Sequence, residues 1–432
     1  MTDASDRTAA PAGAPRTRVP LVSLFTANAV SMTGNVAALV AIPWFVLQTT
    51  GSATRTGITA LAALAPVILS GFFGGALVDR LGYRRMSIVA DLASAVAVAA
   101  IPLLHVTIGL AFWQLVTLVF LGALLDAPGS TARAALTPDL ARGAGWSLER
   151  ASGVAAVVER GSRLAGAPLA GLTVALVGAT NVLWIDAATF LISAAIIAFG
   201  VPRPTRERHG GSTRYLHELR EGLAFLRTDH TLATLIGVVT LTNMLDSVSF
   251  VSLPVLASTV YGSALSLGLM TGILGAGSVI GALLFSAFGE RLPRRVVFCG
   301  GFLVVTIWYP AAASFPPLAI LLGALAVAGL AAGPLNPVID TVFFERVPDG
   351  MRGRVFGVTQ ACAWIAMPIG VLAAGPMIER LGLRATFLVV GSLYLAVTLA
   401  SALLPALRGL DRRPAEPAAD REPVGLPATS SS

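Results

Sequence analysis

Apolar stretches of about twenty residues follow one another along most of the chain, separated by short segments rich in arginine, glycine and proline. At 1.5 Å per residue, a helix of about that length crosses the roughly 30 Å of a bilayer's hydrocarbon. The pattern predicts twelve membrane-spanning helices, at about 21–48, 56–78, 86–106, 110–127, 151–177, 181–201, 231–259, 265–288, 296–313, 318–344, 354–377 and 385–407. So many long runs exceed what one soluble core can bury, so the expected fold class is an all-α membrane protein. Residues 1–19 and 408–432 read as polar, disordered tails, and 1–19 lack the apolar core of a cleaved leader. A connector, 202–230, divides a first bundle (20–201) from a second (231–407). Within it Leu216, Leu219, Leu223 and Leu226 recur at helical spacing opposite charged positions. This predicts an amphipathic helix lying on the membrane surface.

The two bundles share positions. A shift of 211 residues carries Pro43 onto Pro254, Gly51 onto Gly262, Gly57 onto Gly268, Asp79 onto Glu290, Arg80 onto Arg291 and Asn35 onto Asp246. A shift of 204 carries Gly153 onto Gly357, Gly166 onto Gly370, Gly171 onto Gly375 and Gly178 onto Gly382. Parallel repeats of this kind, each six helices long, are a hallmark of secondary transporters.

Charge refines the picture. Only 12% of residues are charged, and every basic residue other than the four histidines is arginine. With the N-terminus inside, 25 of the 30 arginines fall on the cytoplasmic side. Arg55, Arg380 and Arg384 fall outside, and Arg160 and Arg163 lie within the fifth span. That bias sets the orientation, both termini cytoplasmic in an inner or plasma membrane. It accounts for the net charge of +7 without nucleic acid. Cys299, Cys362 and the histidines are dispersed, so no metal site, disulfide framework or enzyme cluster is expected. No phosphate-cradling loop or other cofactor motif is present.

The loop Gly75-x-x-x-Asp79-Arg80-x-Gly82-Tyr83-Arg84-Arg85, with its degenerate copy Ser286-x-x-x-Glu290-Arg291-Leu292-Pro293-Arg294-Arg295, resembles the signature of the major facilitator superfamily. Three further stretches, Asp186–Ser193, Glu218–Leu226 and Arg352–Gly357, resemble its macrolide and enterobactin exporter branch. Gly166-Ala167-Pro168-Leu169-Ala170-Gly171 is similar to the antiporter motif of drug exporters. The chain departs from many proton-coupled exporters in span four, where Leu118 stands four residues before Gly122 in place of an arginine. The resemblance implies two pseudo-symmetric six-helix bundles around a cavity lined by spans one, four, seven and ten. It also implies that Asp79 latches onto the start of span eleven, near Arg354–Gly357, in the outward-facing state. By the internal shift, Glu290 is expected to face the start of span five.

Charges inside hydrocarbon cost about 2.5–3.5 kcal/mol on insertion scales, so they face protein or a wet cavity. Asp246 and Asn243 in span seven, with Asn35 and Asn28 in span one, are therefore candidates for a cargo cavity or proton coupling. Glu159 and Arg163 are four apart and positioned to pair; they are also candidates for the cargo cavity or proton coupling, with Arg160 or Arg163 attracting an anionic cargo or Glu159 exchanging a proton. Asn336 and Asp340 in span ten, and Asp126 ending span four, are expected at the inner mouth. Asp91 and Asp186 fall on supporting spans, where a structural role is expected. The sequence thus predicts a monomeric, bilayer-embedded secondary transporter exchanging amphipathic small molecules for protons. An importer of a small metabolite is the alternative on the same fold. A membrane-embedded sensor or enzyme is the alternative of another class.

Overall fold

The computed structural model describes residues 17–203 and 215–411, apart from the side chains of residues 68, 70–80, 215–219, 290 and 349. Six unbroken helices form the first half: α1 (Val19–Thr50), α2 (Ala53–Leu81), α3 (Tyr83–Thr107), α4 (Phe112–Ala144), α5 (Leu148–Val177) and α6 (Ala179–Gly200). The short helix α7 (Tyr215–Thr228) follows. In the second half, four spans are broken in two: α8 (His230–Asp246) with α9 (Ser249–Thr259), α11 (Arg294–Val305) with α12 (Trp308–Ala313), α13 (Leu318–Ala332) with α14 (Leu335–Arg346), and α15 (Arg352–Ile365) with α16 (Met367–Leu381). Helices α10 (Ala264–Phe288) and α17 (Leu383–Leu403) are continuous. Among the described residues, ten of the twelve spans are long and apolar enough to cross a bilayer, and α2 and α5 complete the set. Glu159, Arg160 and Arg163 lower the apolar character of α5.

Span four is longer than its hydropathy predicts. The segment 128–150 reads as a loop with a break at Thr137-Pro138-Asp139, yet α4 continues through Pro128 and Pro138 to Ala144. Its counterpart at Val347-Pro348 does interrupt the chain after α14.

Prolines account for three of the four breaks. Pro310, Pro334 and Pro368 lie at or just after the interruptions in spans nine, ten and eleven. Each removes a donor that the carbonyl four residues earlier would use. In span eleven other carbonyls beside the break are met from one face of span seven, by Thr240, Asn243 and Ser247. Thr240 Oγ1 donates to Cys362 O at 3.0 Å, Asn243 Nδ2 to Ala363 O at 2.9 Å, and Ser247 Oγ to Met367 O at 2.9 Å. The break of span seven, at Ser247-Val248, therefore faces the break of span eleven.

The internal repeat reappears as paired contacts. A methyl group on Gly166 would meet Val36 at 2.9 Å, and Gly370, its repeat partner, abuts Ser247, the repeat partner of Val36. Arg84 Nη2 donates to Ala198 O at 2.5 Å at the end of α6, while Arg295 Nη2 donates to Ala402 O at 2.5 Å at the end of α17. In both halves the loop's basic residue satisfies orphan carbonyls at a helix C-terminus, which also suits the helix dipole.

We call the face holding Arg84, Val201, His230 and Leu407 the terminal face, and the opposite one the far face. The halves seal at the far face through two repeat-related contacts. A methyl on Gly171 would approach Ala264 O to 2.7 Å and Gly268 Cα to 2.8 Å. A methyl on Gly57 would approach Val371 O to 2.9 Å, and Gly375 abuts Thr54. Gly57 and Gly268 are equivalent in the repeat, as are Gly171 and Gly375. Only glycine permits backbones this close. Pro168 packs against Gly272 in the same seam.

Candidate functional site

On the terminal-face side of the seal lies a cavity of ≈ 650 Å³, lined by α1, α4 and α5. Its polar wall follows from helical spacing. Asn28, Ser31 and Asn35 fall on one face of α1, and Asp126, Ser130, Arg133 and Thr137 on one face of α4. Arg133 is 3% exposed. Its Nη1 reaches Asp91 Oδ1 on α3 at 2.7 Å, and Nε donates to Asn28 Oδ1 at 3.2 Å. Nη2 donates to Ser31 Oγ at 3.5 Å and stands 3.6 Å from Asp126 Oδ1. The planar guanidinium serves several acceptors at once, which a lysine ammonium at this depth would not match. Gly129 lets α4 approach α3, since a methyl there would lie 2.7 Å from Ala90 Cβ.

The two carboxylates around Arg133 differ. Asp91 is fully buried and both its oxygens are used, because Ser193 Oγ donates to Oδ2 at 2.7 Å. Asp126 is 20% exposed and lines the cavity. Asn35 Nδ2 donates to its Oδ2 at 2.9 Å, while Oδ1 accepts no hydrogen bond. Asp91 and Arg133 neutralise each other, leaving Asp126 as the surplus negative charge. Asp186 lies behind this wall on α6, buried, with Thr189 Oγ1 3.5 Å from its Oδ1.

Of the cavity residues read from the sequence, Asn28, Asn35, Glu159 and Arg163 line it. Arg163 Nη2 and Glu159 Oε1 pair at 3.3 Å along α5, both half exposed or more. Arg160 is exposed outside the lining. Asn243 and Asp246 are elsewhere. Asn243 is engaged with span eleven, as described above. Asp246 accepts from Tyr309 Oη at 2.9 Å on α12 and from Tyr394 Oη at 3.3 Å on α17, so its carboxylate turns into the second bundle. Asn336 and Asp340 are exposed on α14, outside the cavity lining. Arg133 escaped the sequence reading because it fell in the segment taken for a loop. The seven-residue interval from Asp126 to Arg133, matched by Asn28 to Asn35, was the available signal.

The terminal-face loops are partly described. Gly82 has φ +76° between α2 and α3, a conformation that favours glycine. Arg85 and Arg291 are exposed. The side chains of Asp79, Arg80 and Glu290, and the surroundings of Gly75, lie outside the described residues, and with them the expected latch. Arg354 pairs with Glu221 of α7 at 2.6 Å. A methyl on Gly222 would approach Arg354 O and Val358 Cγ2 to 2.8 Å, so α7 packs closely on α15. The amphipathic helix is thus docked on the second half, with Leu226 buried and Leu223 exposed.

The Major Facilitator Superfamily model matches residues 24–263 and again 235–430. The chain belongs to the major facilitator superfamily. Relatives of this facilitator align with most of its length. It is 34% identical over 411 residues to the multidrug efflux pump Tap of Mycobacterium tuberculosis, covering 92% of this chain and 96% of Tap. It is 23% identical over 398 residues to macrolide efflux protein A of Streptococcus pyogenes, covering 91% and 98% respectively. The nucleoside transporter NupG shares the fold at a TM-score of 0.75, with 12% identity over 88% of this chain and 98% of that one. A bacterial homologue of the human lysosomal transporter Spinster, solved inward-facing, gives a TM-score of 0.70, with 16% identity over 92% and 98%.

Proposed function

We propose that this facilitator exports amphipathic organic molecules from the cytoplasm in exchange for protons, working as a monomer by alternating access. The surplus carboxylate of Asp126 on the cavity wall carries this reading. The arginine bias assigns the terminal face to the cytoplasm, so the structure corresponds to an inward-facing state. The curated relatives named as multidrug and macrolide efflux proteins support the direction and cargo class. Apolar lining from Leu24, Phe25, Met32 and Val36 beside one acidic edge suits an amphipathic molecule.

Cargo enters from the cytoplasm while Asp126 is ionised, and a proton taken up from outside displaces it. Proton binding to Asp126 removes its attraction to Arg133 within α4 and weakens the bond from Asn35 that ties α4 to α1, leaving Arg133 to Asp91, Asn28 and Ser31. The balance between the two bundle arrangements shifts by the difference in proton affinity of the two states.

Ethidium accumulation in cells tests this. Expressing the gene should lower dye content, and a protonophore should restore it. Asp126→Asn should abolish uphill export while the protein still reaches the membrane. Uphill export that survives both the protonophore and Asp126→Asn would refute the proton-exchange reading.

A further inference from the structure

The far-face seal carries a polar lock as well as its glycines. Ser52 occupies the N-cap of α2, and its hydroxyl accepts from Arg55 N at 3.2 Å. The same hydroxyl donates to Glu379 Oε1 at 2.7 Å, on the last turn of α16. Thr54 donates to that carboxylate twice, from its backbone N to Oε1 at 2.9 Å and from Oγ1 to Oε2 at 2.6 Å. The first amides of a helix have no intrahelical acceptor. Here one is satisfied by a side chain of the opposite bundle, and a carboxylate at a helix N-terminus also gains from the dipole.

We propose that Glu379 is a gating residue of the transport cycle: an N-cap supplied in trans that holds the far gate shut and must be released each time the cavity opens outward. Three features point to this role. All three bonds cross from one bundle to the other. They flank the Gly57–Gly375 approach, which brings the carboxylate within reach. The carboxylate is exposed, so water replaces its partners when the helices part. The repeat-related seam between α5 and α10 is instead built of Gly171, Gly268 and Pro168 against Gly272. One side of the gate is closed by packing and the other by packing plus a cap.

The test measures gate distances in the full-length protein in nanodiscs. Cys299 and Cys362 are replaced by serine, and spin labels are placed at Gln48→Cys and Leu381→Cys. Pulsed electron resonance then gives the ratio of closed to open far gates. Glu379→Ala should lower that ratio roughly 2- to 30-fold, the range for a lost N-cap. Glu379→Gln, which keeps an acceptor without charge, should fall between wild type and alanine. In a Ser52→Ala/Thr54→Val background, Glu379→Ala should have a much smaller effect, because most of its donors are already gone. An unchanged ratio for Glu379→Ala would overturn the proposal, as would equal effects in both backgrounds. Should the alanine variant fail to fold, the glutamine variant in both backgrounds answers the same question. The distances are read without cargo or gradient, so an error about Asp126 or protons leaves this result untouched.

Discussion

The two halves share repeat positions and keep matching contacts, yet they fill their interiors differently. In the first half, Arg133 binds together Asn28 and Ser31 of α1, Asp91 of α3 and Asp126 of its own α4, and every span is continuous. In the second, Phe298, Phe302, Trp308, Tyr309, Phe387 and Tyr394 stack in an aromatic core around Asp246, and four of six spans are broken. Asn35 against Asp246 shows the divergence at one repeat position. The asparagine serves the cavity wall, whereas the aspartate serves its own bundle. The lesson is a division of labour, with the ion-paired network held on unbroken helices and the interruptions confined to the half whose core is aromatic.

The largest expected effect tests the paired side. Arg133→Leu strands Asp91 without a counter-charge in hydrocarbon, and breaking such a buried pair costs about 3–5 kcal/mol. Chemical denaturation in detergent should show that loss, and adding Asp91→Asn should recover most of it. If the double variant is no more stable than Arg133→Leu, the pair is not what holds the wall.

The aromatic side should respond less. Tyr309→Phe deletes one hydrogen bond to Asp246, costing about 1.5–3 kcal/mol if the carboxylate is charged and about 1 kcal/mol if neutral. The same denaturation assay thus reports the charge of Asp246, and Tyr309→Phe in an Asp246→Asn background gives the neutral reference.

The seam comes next. Gly171→Val and Gly375→Val each force a side chain into a backbone contact, with overpacking costs of about 1–3 kcal/mol on the sealed state. Both should move the far-gate distance toward open, by similar amounts if the duplicated contacts remain equivalent. The smallest effect is expected at Glu159–Arg163. Both groups are largely exposed, so Glu159→Gln should change stability by less than about 1 kcal/mol. A larger change in transport than in stability would give the pair a role with cargo.

Much of this architecture is legible in the sequence because hydropathy and duplication leave regular marks. Twelve runs, two shifts and the arginine bias predict the helices and their grouping without any contact being known. Span four resists this reading for a physical reason. Pro128, Pro138, Asp126 and Arg133 look like the end of a helix, but Arg133 is answered by Asp91, 42 residues away, and Asp126 by Asn35, 91 residues away. Pairing at those separations has no local signature. The break in span seven is hidden in the same way, since no proline marks it and its partner carbonyl belongs to Met367. Residues such as Asn243 then invite a functional reading when their donors are committed to another helix's kink.

The neutral Arg133–Asp91 pair also has an electrical meaning. A dipole that moves with its bundle carries no net charge across the field, so in the proposed exchange voltage acts on Asp126, its proton and the cargo rather than on this pair. Swapping one proton for an uncharged molecule then moves one elementary charge per turnover, worth about 2.3 kcal/mol for each 100 mV. Swapping it for a monovalent cation moves none, and that flux should ignore membrane voltage and follow acidity alone.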